Sequence, residues 1–284
     1  MSEPWCVLLA SREAPQRART TTQGRGLAQQ HAALGKGDTL TATLRRAATV
    51  TSLERIAAVV AAPANRWRQS PFNELADRNL FVQPKHQGTG YEVLLALLVL
   101  ERRISPSAAV LFLPTDHIVD DEVVMTNSLM TMVEWIADEP KPVYLLGAVP
   151  QGPHDQLGYI VPWHDGMLMP TVVYEFVESP DVHRARKLIN AGGLWNTFIF
   201  GGNVASLIKL FRPRFDATIA ALRAALQSDE IRPDLDRTYE SFPFVDFSHD
   251  LLAKHTDSLN VLRLPRCGWW PLKAPTPNPH YRDA

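Results

Sequence analysis

Ala108-Ala109-Val110-Leu111-Phe112-Leu113-Pro114-Thr115-Asp116-His117 is the stretch on which the architecture turns. Up to Leu113 it is a continuous apolar run of strand length, which predicts a strand buried on both faces, and Pro114 ends it before a polar turn. Downstream, the pattern predicts a helix from about Asp121 to Ala137 and a strand over Val143 to Gly147. Upstream, Gly90 to Arg103 is apolar all round and predicts a helix buried against a sheet. It follows the short strand Leu80-Phe81-Val82 and the break at Gln83-Pro84. Farther back lie a buried strand at Ile56 to Val60 and a helix marked by Leu40, Leu44 and Ala47, with Asp38 as its N-cap. The first strand, Trp5 to Ala10, stops abruptly at Ser11-Arg12-Glu13-Ala14-Pro15. This alternation predicts an α/β protein with an open, mostly parallel sheet flanked by helices, in which ligands bind beyond the carboxyl ends of strands.

The pattern changes at Gln151-Gly152-Pro153. Strands are expected at Gly158 to Val161 and Thr171 to Val177, joined through a Trp163-His164-Asp165-Gly166 turn into an inserted hairpin able to cover a site. Pro180 to Asn190 reads as helix, Leu194 to Phe200 as strand, Ala205 to Gln227 as helical turns broken by Pro213, and Leu259 to Leu264 as the last strand. Pro271, Pro275, Pro277 and Pro279 exclude regular helix or central strand from the tail.

The 284 residues carry 29 Lys plus Arg against 30 Asp plus Glu, so no overall bias toward nucleic acid or an anionic membrane exists and neither is expected as a partner. Any anionic ligand must be met locally. Cys6 and Cys267 stand at opposite ends of the chain without metal-ligand spacing, which suits buried packing in a reducing cytoplasm. The longest apolar run, Val93 to Leu100, is far short of the roughly 20 residues that span a bilayer, so a soluble cytoplasmic chain is expected. Assembly into a homo-oligomer is left open.

Asp116, at the end of the central strand, is placed to hold a divalent cation over phosphates, since Mg²⁺ takes one or two carboxylates and completes its shell with water and phosphate oxygens. A helix N-cap or turn aspartate is the alternative. Gln87-Gly88-Thr89-Gly90, before the buried helix, reads as a ligand loop in which glycines permit close backbone approach, or as a simple turn. Arg12, Arg17, Arg19 and Arg25 can receive phosphates or form a solvated charged loop. Gly35-Lys36-Gly37-Asp38-Thr39 lacks the residues of a P-loop, and the nine histidines show no zinc spacing.

Taken in order, these segments resemble the sugar-1-phosphate nucleotidyltransferases, most closely the mannose-1-phosphate guanylyltransferases. Gln83-Pro84-Lys85-His86-Gln87-Gly88-Thr89-Gly90 is similar to that family's base-recognition loop, and Leu113-Pro114-Thr115-Asp116-His117 to its metal-aspartate motif. Leu157-Gly158-Tyr159-Ile160, Phe176-Val177-Glu178-Ser179-Pro180 and Leu194-Trp195-Asn196-Thr197 match its later segments. The resemblance implies a Rossmann-like nucleotidyltransferase fold over 1–275, with a mixed, mostly parallel sheet and an inserted hairpin, followed by a proline-rich tail, 276–284. It implies transfer of GMP from GTP to mannose 1-phosphate, giving GDP-mannose and pyrophosphate. Asp116 would bind Mg²⁺; Gln83, Gly88, Thr89 and Pro114 the nucleotide; and Gly158, Glu178 and Asn196 the sugar.

Departures from the family concentrate in the phosphate machinery. Its glycine-rich loop is Ser11-Arg12-Glu13-Ala14-Pro15-Gln16-Arg17 here, its lysine is Gln29, its Glu-Lys-Pro lysine is Ser179, and its second metal aspartate is Pro271 in Gly268-Trp269-Trp270-Pro271-Leu272-Lys273. Two expectations follow. In one, Arg17 acts at the reacting phosphate, with Arg12, Arg19, Arg25 and Lys36 as substitute contacts. In the other, the chain is an impaired relative that binds nucleotide or nucleotide-sugar, or serves as a partner subunit.

Overall fold

A computed structural model of the chain describes residues 3–10, 39–63, 67, 70–164 and 169–272. Elements in chain order are β1 (Trp5–Leu9), α1 (Thr39–Val50), β2 (Ile56–Ala61), β3 (Leu80–Gln83), α2 (Thr89–Glu101), β4 (Ala109–Pro114) and β5 (His117–Ile118). Then come α3 (Glu122–Asp138), β6 (Val143–Ala148), β7 (Tyr159–Pro162), β8 (Thr171–Val177), α4 (Val182–Asn190), β9 (Leu194–Asn203) and α5 (Val204–Lys209). The last are α6 (Asp216–Gln227), α7 (Ile231–Glu240), α8 (Phe247–Asp250), β10 (Leu259–Leu264) and β11 (Trp270–Pro271).

The nine-stranded sheet has the order β3-β2-β1-β4-β9-β6-β10-β8-β7, and β5 and β11 form a separate two-stranded sheet. In the large sheet β8 and β9 run against the other strands, so the architecture is mixed but mostly of one direction. β9 lies between β4 and β6, antiparallel to both. Its first residues also pair with β7, on the edge left free where β4 has ended, so the hairpin joins the sheet rather than standing apart from it.

Alternation within the strands divides the core. Val7, Ala57, Val110 and Val143 face one side, under α2, α5, α6 and α7; Cys6, Ile56, Leu111 and Tyr144 face the other, under α1, α3 and α4. The uninterrupted apolar character of these strands is explained by burial on both faces. α2 is buried from Val93 to Leu98 because it is enclosed by the sheet and by α5, α6 and α8. Each of its leucines contributes about 2 kcal/mol of transfer free energy.

Most elements lie where expected, with informative differences. Gly158 precedes β7 rather than belonging to it. β9 continues to Asn203, past the expected end at Phe200. The expected break at Pro213 falls between α5 and α6. α7 carries a weak apolar signal, with Leu235 and Tyr239 as its buried residues and Pro233 in its first turn. Asp121 caps α3 by accepting from the Val123 and Val124 amides, which removes the N-cap reading of Asp116. Asp38, the 163–166 turn beyond His164, and 276–284 lie outside the described residues.

Candidate functional site

A cavity of about 210 Å³ opens at the carboxyl ends of β1 and β4. It collects Thr89, Pro114, Asp116, Gly158, Glu178 and Asn196 from separate stretches of chain. Gln83 and Gly88 do not line it, and Arg17, with Arg12, Arg19, Arg25, Gln29 and Lys36, lies outside the described residues. The cavity also takes Glu92, Gln156, Asp246, Ser248, Trp269 and Pro271.

Asn196 is aimed by an irregularity in β9. Pairing with β6 shifts register between Leu145 and Gly147, and Phe198 adopts a left-handed backbone, φ 59°. The Thr197 hydroxyl donates to the Leu146 carbonyl at 2.6 Å, while Asn196 Oδ1 accepts from the Phe198 amide at 3.0 Å. Such a bulge re-aims side chains locally, and here it turns Asn196 and Phe198 into the cavity. The Asn196 main-chain amide donates to the Gly158 carbonyl at 2.7 Å, tying these two cavity residues together. A Cβ on Gly158 would stand 2.5 Å from Glu178 Oε2, so the glycine makes room for that carboxyl.

Asp246 and Ser248 were not assigned from sequence, because α8 is too short to show a period. Its anchor is aromatic. Phe247 stacks on Phe200, centroids 4.7 Å apart, and Phe200 on Phe112 at 4.8 Å, which pins α8 over β9 and β4. Asp246 caps the helix through the His249 amide, and this cap is the one sequence signal that could have found it.

Burial pushes the Glu178 carboxyl up to about 7, and the Asp246 carboxylate adds to the rise. The folded protein thus holds a proton that the unfolded chain releases near 4.5. Its stabilising contribution is complete below that value and is lost as pH rises through about 7. At about 1.4 kcal/mol per unit, the total is about 3 kcal/mol. Glu178→Gln cannot ionise, so between pH 4.5 and 8 its stability should gain about 3 kcal/mol relative to the wild type, read from denaturant midpoints at each pH.

Next to Asp116, His117 is fully enclosed, and burial followed by the Arg46 charge holds its pKa well below the usual imidazole range. Arg46 Nη1 lies 2.9 Å from His117 Nε2. Arginine only donates, so Nε2 accepts and the ring proton sits on Nδ1. Arg46 also makes a two-pronged contact with Glu122, both bonds 2.8 Å, joining α1 to α3 beneath the cavity. Arg46→Met should lower stability by about 2 kcal/mol, less than a fully buried pair, because half-exposed Glu122 rehydrates. A shifted denaturant midpoint with unchanged slope is the expected result.

Gln87-Gly88-Thr89-Gly90 is closed by the chain itself. The Val245 amide donates to the Gln87 carbonyl at 2.9 Å, and the Gly90 amide to the Val245 carbonyl at 3.0 Å. Gly88 has φ 97°, and a Cβ there would fall inside the Val245 carbonyl. The close backbone approach that the glycines allow is therefore made by Val245. Gln83 is buried, with a carboxamide that makes no well-formed hydrogen bond and lies near the Tyr239 hydroxyl.

The described lining holds Glu92, Asp116, Glu178 and Asp246 and no lysine or arginine. β11 pairs with β5, placing Pro271 opposite His117, and the Leu272 amide donates to the Asp116 carbonyl at 2.9 Å. No group of three or more His, Cys, Asp or Glu able to hold a metal occurs among the described residues. Asp116 therefore fits one carboxylate toward a cation that brings its remaining oxygens with a phosphate ligand, and does not fit a resident all-protein site.

A cavity at the carboxyl ends of parallel strands in a mixed α/β sheet, lined by Asp116 and by separate polar loops, lies where open α/β sheets of the nucleotide-binding class take their ligands. The nucleotidyl transferase family model matches residues 29–232, and the chain belongs to that family. It is similar to the alginate biosynthesis protein AlgA of Pseudomonas fluorescens, 30% identical over 193 residues, covering 64% of this chain and 39% of the relative. It is also similar to the mannose-1-phosphate guanylyltransferase RfbM of Salmonella typhimurium, 26% identical over 211 residues, covering 71% and 42%. The chain thus spans about two fifths of the length of these relatives. Among solved structures, the mannose-1-phosphate geranyltransferase from Thermus thermophilus superposes with a TM-score of 0.71 at 22% identity, covering 95% of this chain and 76% of that one. That likeness establishes the nucleotidyltransferase fold. No helix among the described residues is long and apolar enough to cross a membrane.

Proposed function

We propose that this chain transfers GMP from GTP to mannose 1-phosphate, forming GDP-mannose and pyrophosphate. The reading is carried by the convergence of Asp116, Gly158, Glu178 and Asn196 on one cavity in a member of the nucleotidyl transferase family. The names of its relatives supply the choice of mannose and guanine. In the reaction a phosphate oxygen of the sugar 1-phosphate attacks the α-phosphorus of GTP in line, and the bond to pyrophosphate breaks. Catalysis of this kind is chiefly positioning and charge neutralisation. The described lining is acidic, so in this reading the positive charge would be supplied by a magnesium ion arriving with the nucleotide, toward which Asp116 would offer its carboxylate, and by Arg17 and its neighbouring basic residues. The neutral form of Glu178, favoured by burial, can donate to a sugar hydroxyl, and Asn196 can do the same. In this reading Gln83, Gly88, Thr89 and Pro114 form the nucleotide side, with Val245 displaced from Gly88 when guanine enters.

Pyrophosphate release from GTP, mannose 1-phosphate and Mg²⁺ tests the proposal, with glucose 1-phosphate and ATP as competing substrates. Turnover that prefers GTP and mannose 1-phosphate is expected. Pro271 beside Asp116 favours a second reading, a relative that binds nucleotide or nucleotide-sugar without turnover. GTP binding by calorimetry with no pyrophosphate released at high protein concentration would establish that reading instead.

A further inference from the structure

A second concavity, of about 460 Å³, lies away from Asp116, between β3, the end of α2 and the α6–α7 corner. Its walls are apolar, with Leu95, Val99 and Leu235 among them, while Arg78, Arg102 and Arg103 stand on its lining against the single carboxylate of Asp77. None of the three arginines belongs to an ion pair among the described residues. Glu101, their neighbour on α2, is taken by Arg223 through two bonds of 3.0 and 2.7 Å.

Two of the guanidinium groups are held in place by neutral acceptors, and among the described residues no ion pair cancels their charge. Arg102 donates to the Leu226 carbonyl, and Arg103 donates to the Arg78 carbonyl at 2.6 Å while lying over the Phe81 ring at 5.4 Å. Each guanidinium carries five donors, so most remain for a ligand. Burial first, and then the Arg78 and Arg102 charges, depress the Arg103 pKa, so the three like charges act on one another. A planar fork held this way suits phosphate oxygens, and the apolar walls suit a hydrophobic body.

We propose that this groove is a second ligand site, separate from the cavity at Asp116, which takes an organic phosphate with an apolar body.

Calorimetric titration of the full chain with octyl phosphate, below its micellar concentration, and with inorganic phosphate tests this. Saturable one-to-one binding of octyl phosphate is expected, at least about tenfold tighter than inorganic phosphate, because only the former fills the apolar walls. The Arg78→Gln/Arg102→Gln double variant should weaken it about a hundredfold, roughly tenfold for each charge-assisted contact. Arg78→Glu alone, at an exposed side chain, should weaken it at least about tenfold and serves where the double variant unfolds. Displacement of octyl phosphate by GMP from an Asp116→Ala chain would identify a nucleotide as the source of the phosphate, and displacement by longer alkyl phosphates alone a lipid. Absence of saturable binding, unchanged affinity in the arginine variants, or displacement by GTP that Asp116→Ala abolishes would overturn the second site. None of these results depends on turnover, so the site stands or falls apart from the transferase reading.

Discussion

Gly88→Ala is expected to lower the melting temperature by about 10 °C, whatever its effect on ligand binding. The left-handed backbone at φ 97° costs a residue with a Cβ roughly 1–2 kcal/mol. The new methyl must also push the Val245 carbonyl aside, and it can do so only by moving the pair of backbone bonds that ties 87–90 to Val245. Forced overlap in a packed interior adds about 1–3 kcal/mol. The sum is about 4 kcal/mol, and for a chain of this size each kcal/mol is about 2–4 °C. Gly152→Ala is the control, since a Cβ there meets nothing within 4 Å. Melting followed by circular dichroism decides the matter. If Gly88→Ala melts within about 2 °C of the wild type, the Val245 segment is free to leave the loop at little cost.

Asp116→Ala is expected to cut pyrophosphate release by a hundredfold or more while leaving the melting temperature unchanged. Removing a preorganised group that stabilises transition-state charge costs about 3–4 kcal/mol, and here the lost carboxylate would hold the nucleotide's cation. The structural bond at this position uses the Asp116 main-chain carbonyl, which accepts from Leu272 and survives the substitution. Activity and stability should therefore separate. Undiminished turnover in the variant would remove Asp116 from the reaction and point to another carboxylate of the cavity, Asp246 being the nearest in role.

The sheet was legible where strands are buried on both faces. β1, β2, β4 and β6 read as continuous apolar runs, and the all-round apolar α2 reads as a helix with neighbours on every side. Neighbour relations were not legible. Nothing in Leu194–Asn203 tells that β9 threads between β4 and β6, because an apolar run records burial and not partners. α7 escaped because its helical face shows little beyond Leu235 and Tyr239, and β5 and β11 are two residues long. The candidate site divides similarly. Asp116, Gly158, Glu178 and Asn196, each from a distinct motif, come together in one cavity. Gly88 shows the limit of a glycine signal: close approach was readable, but the approaching backbone is Val245, which only the three-dimensional fold brings there. Asp246 and Ser248 depend on the Phe112–Phe200–Phe247 stack, a contact among three distant segments.

The pairing of β7 with the start of β9 bears on how copies of the chain can meet. By bonding to both β8 and β9, β7 leaves little unpaired backbone at its end of the large sheet. The opposite end terminates in β3, which spans only Leu80–Gln83 and is bordered by Arg78. Short edge strands flanked by charge resist templating by a foreign strand, the usual first step of sheet-mediated aggregation. Among the described strands, the edge open to strand addition at this end of the sheet is therefore limited to the four residues of β3, beside a cluster of like charges.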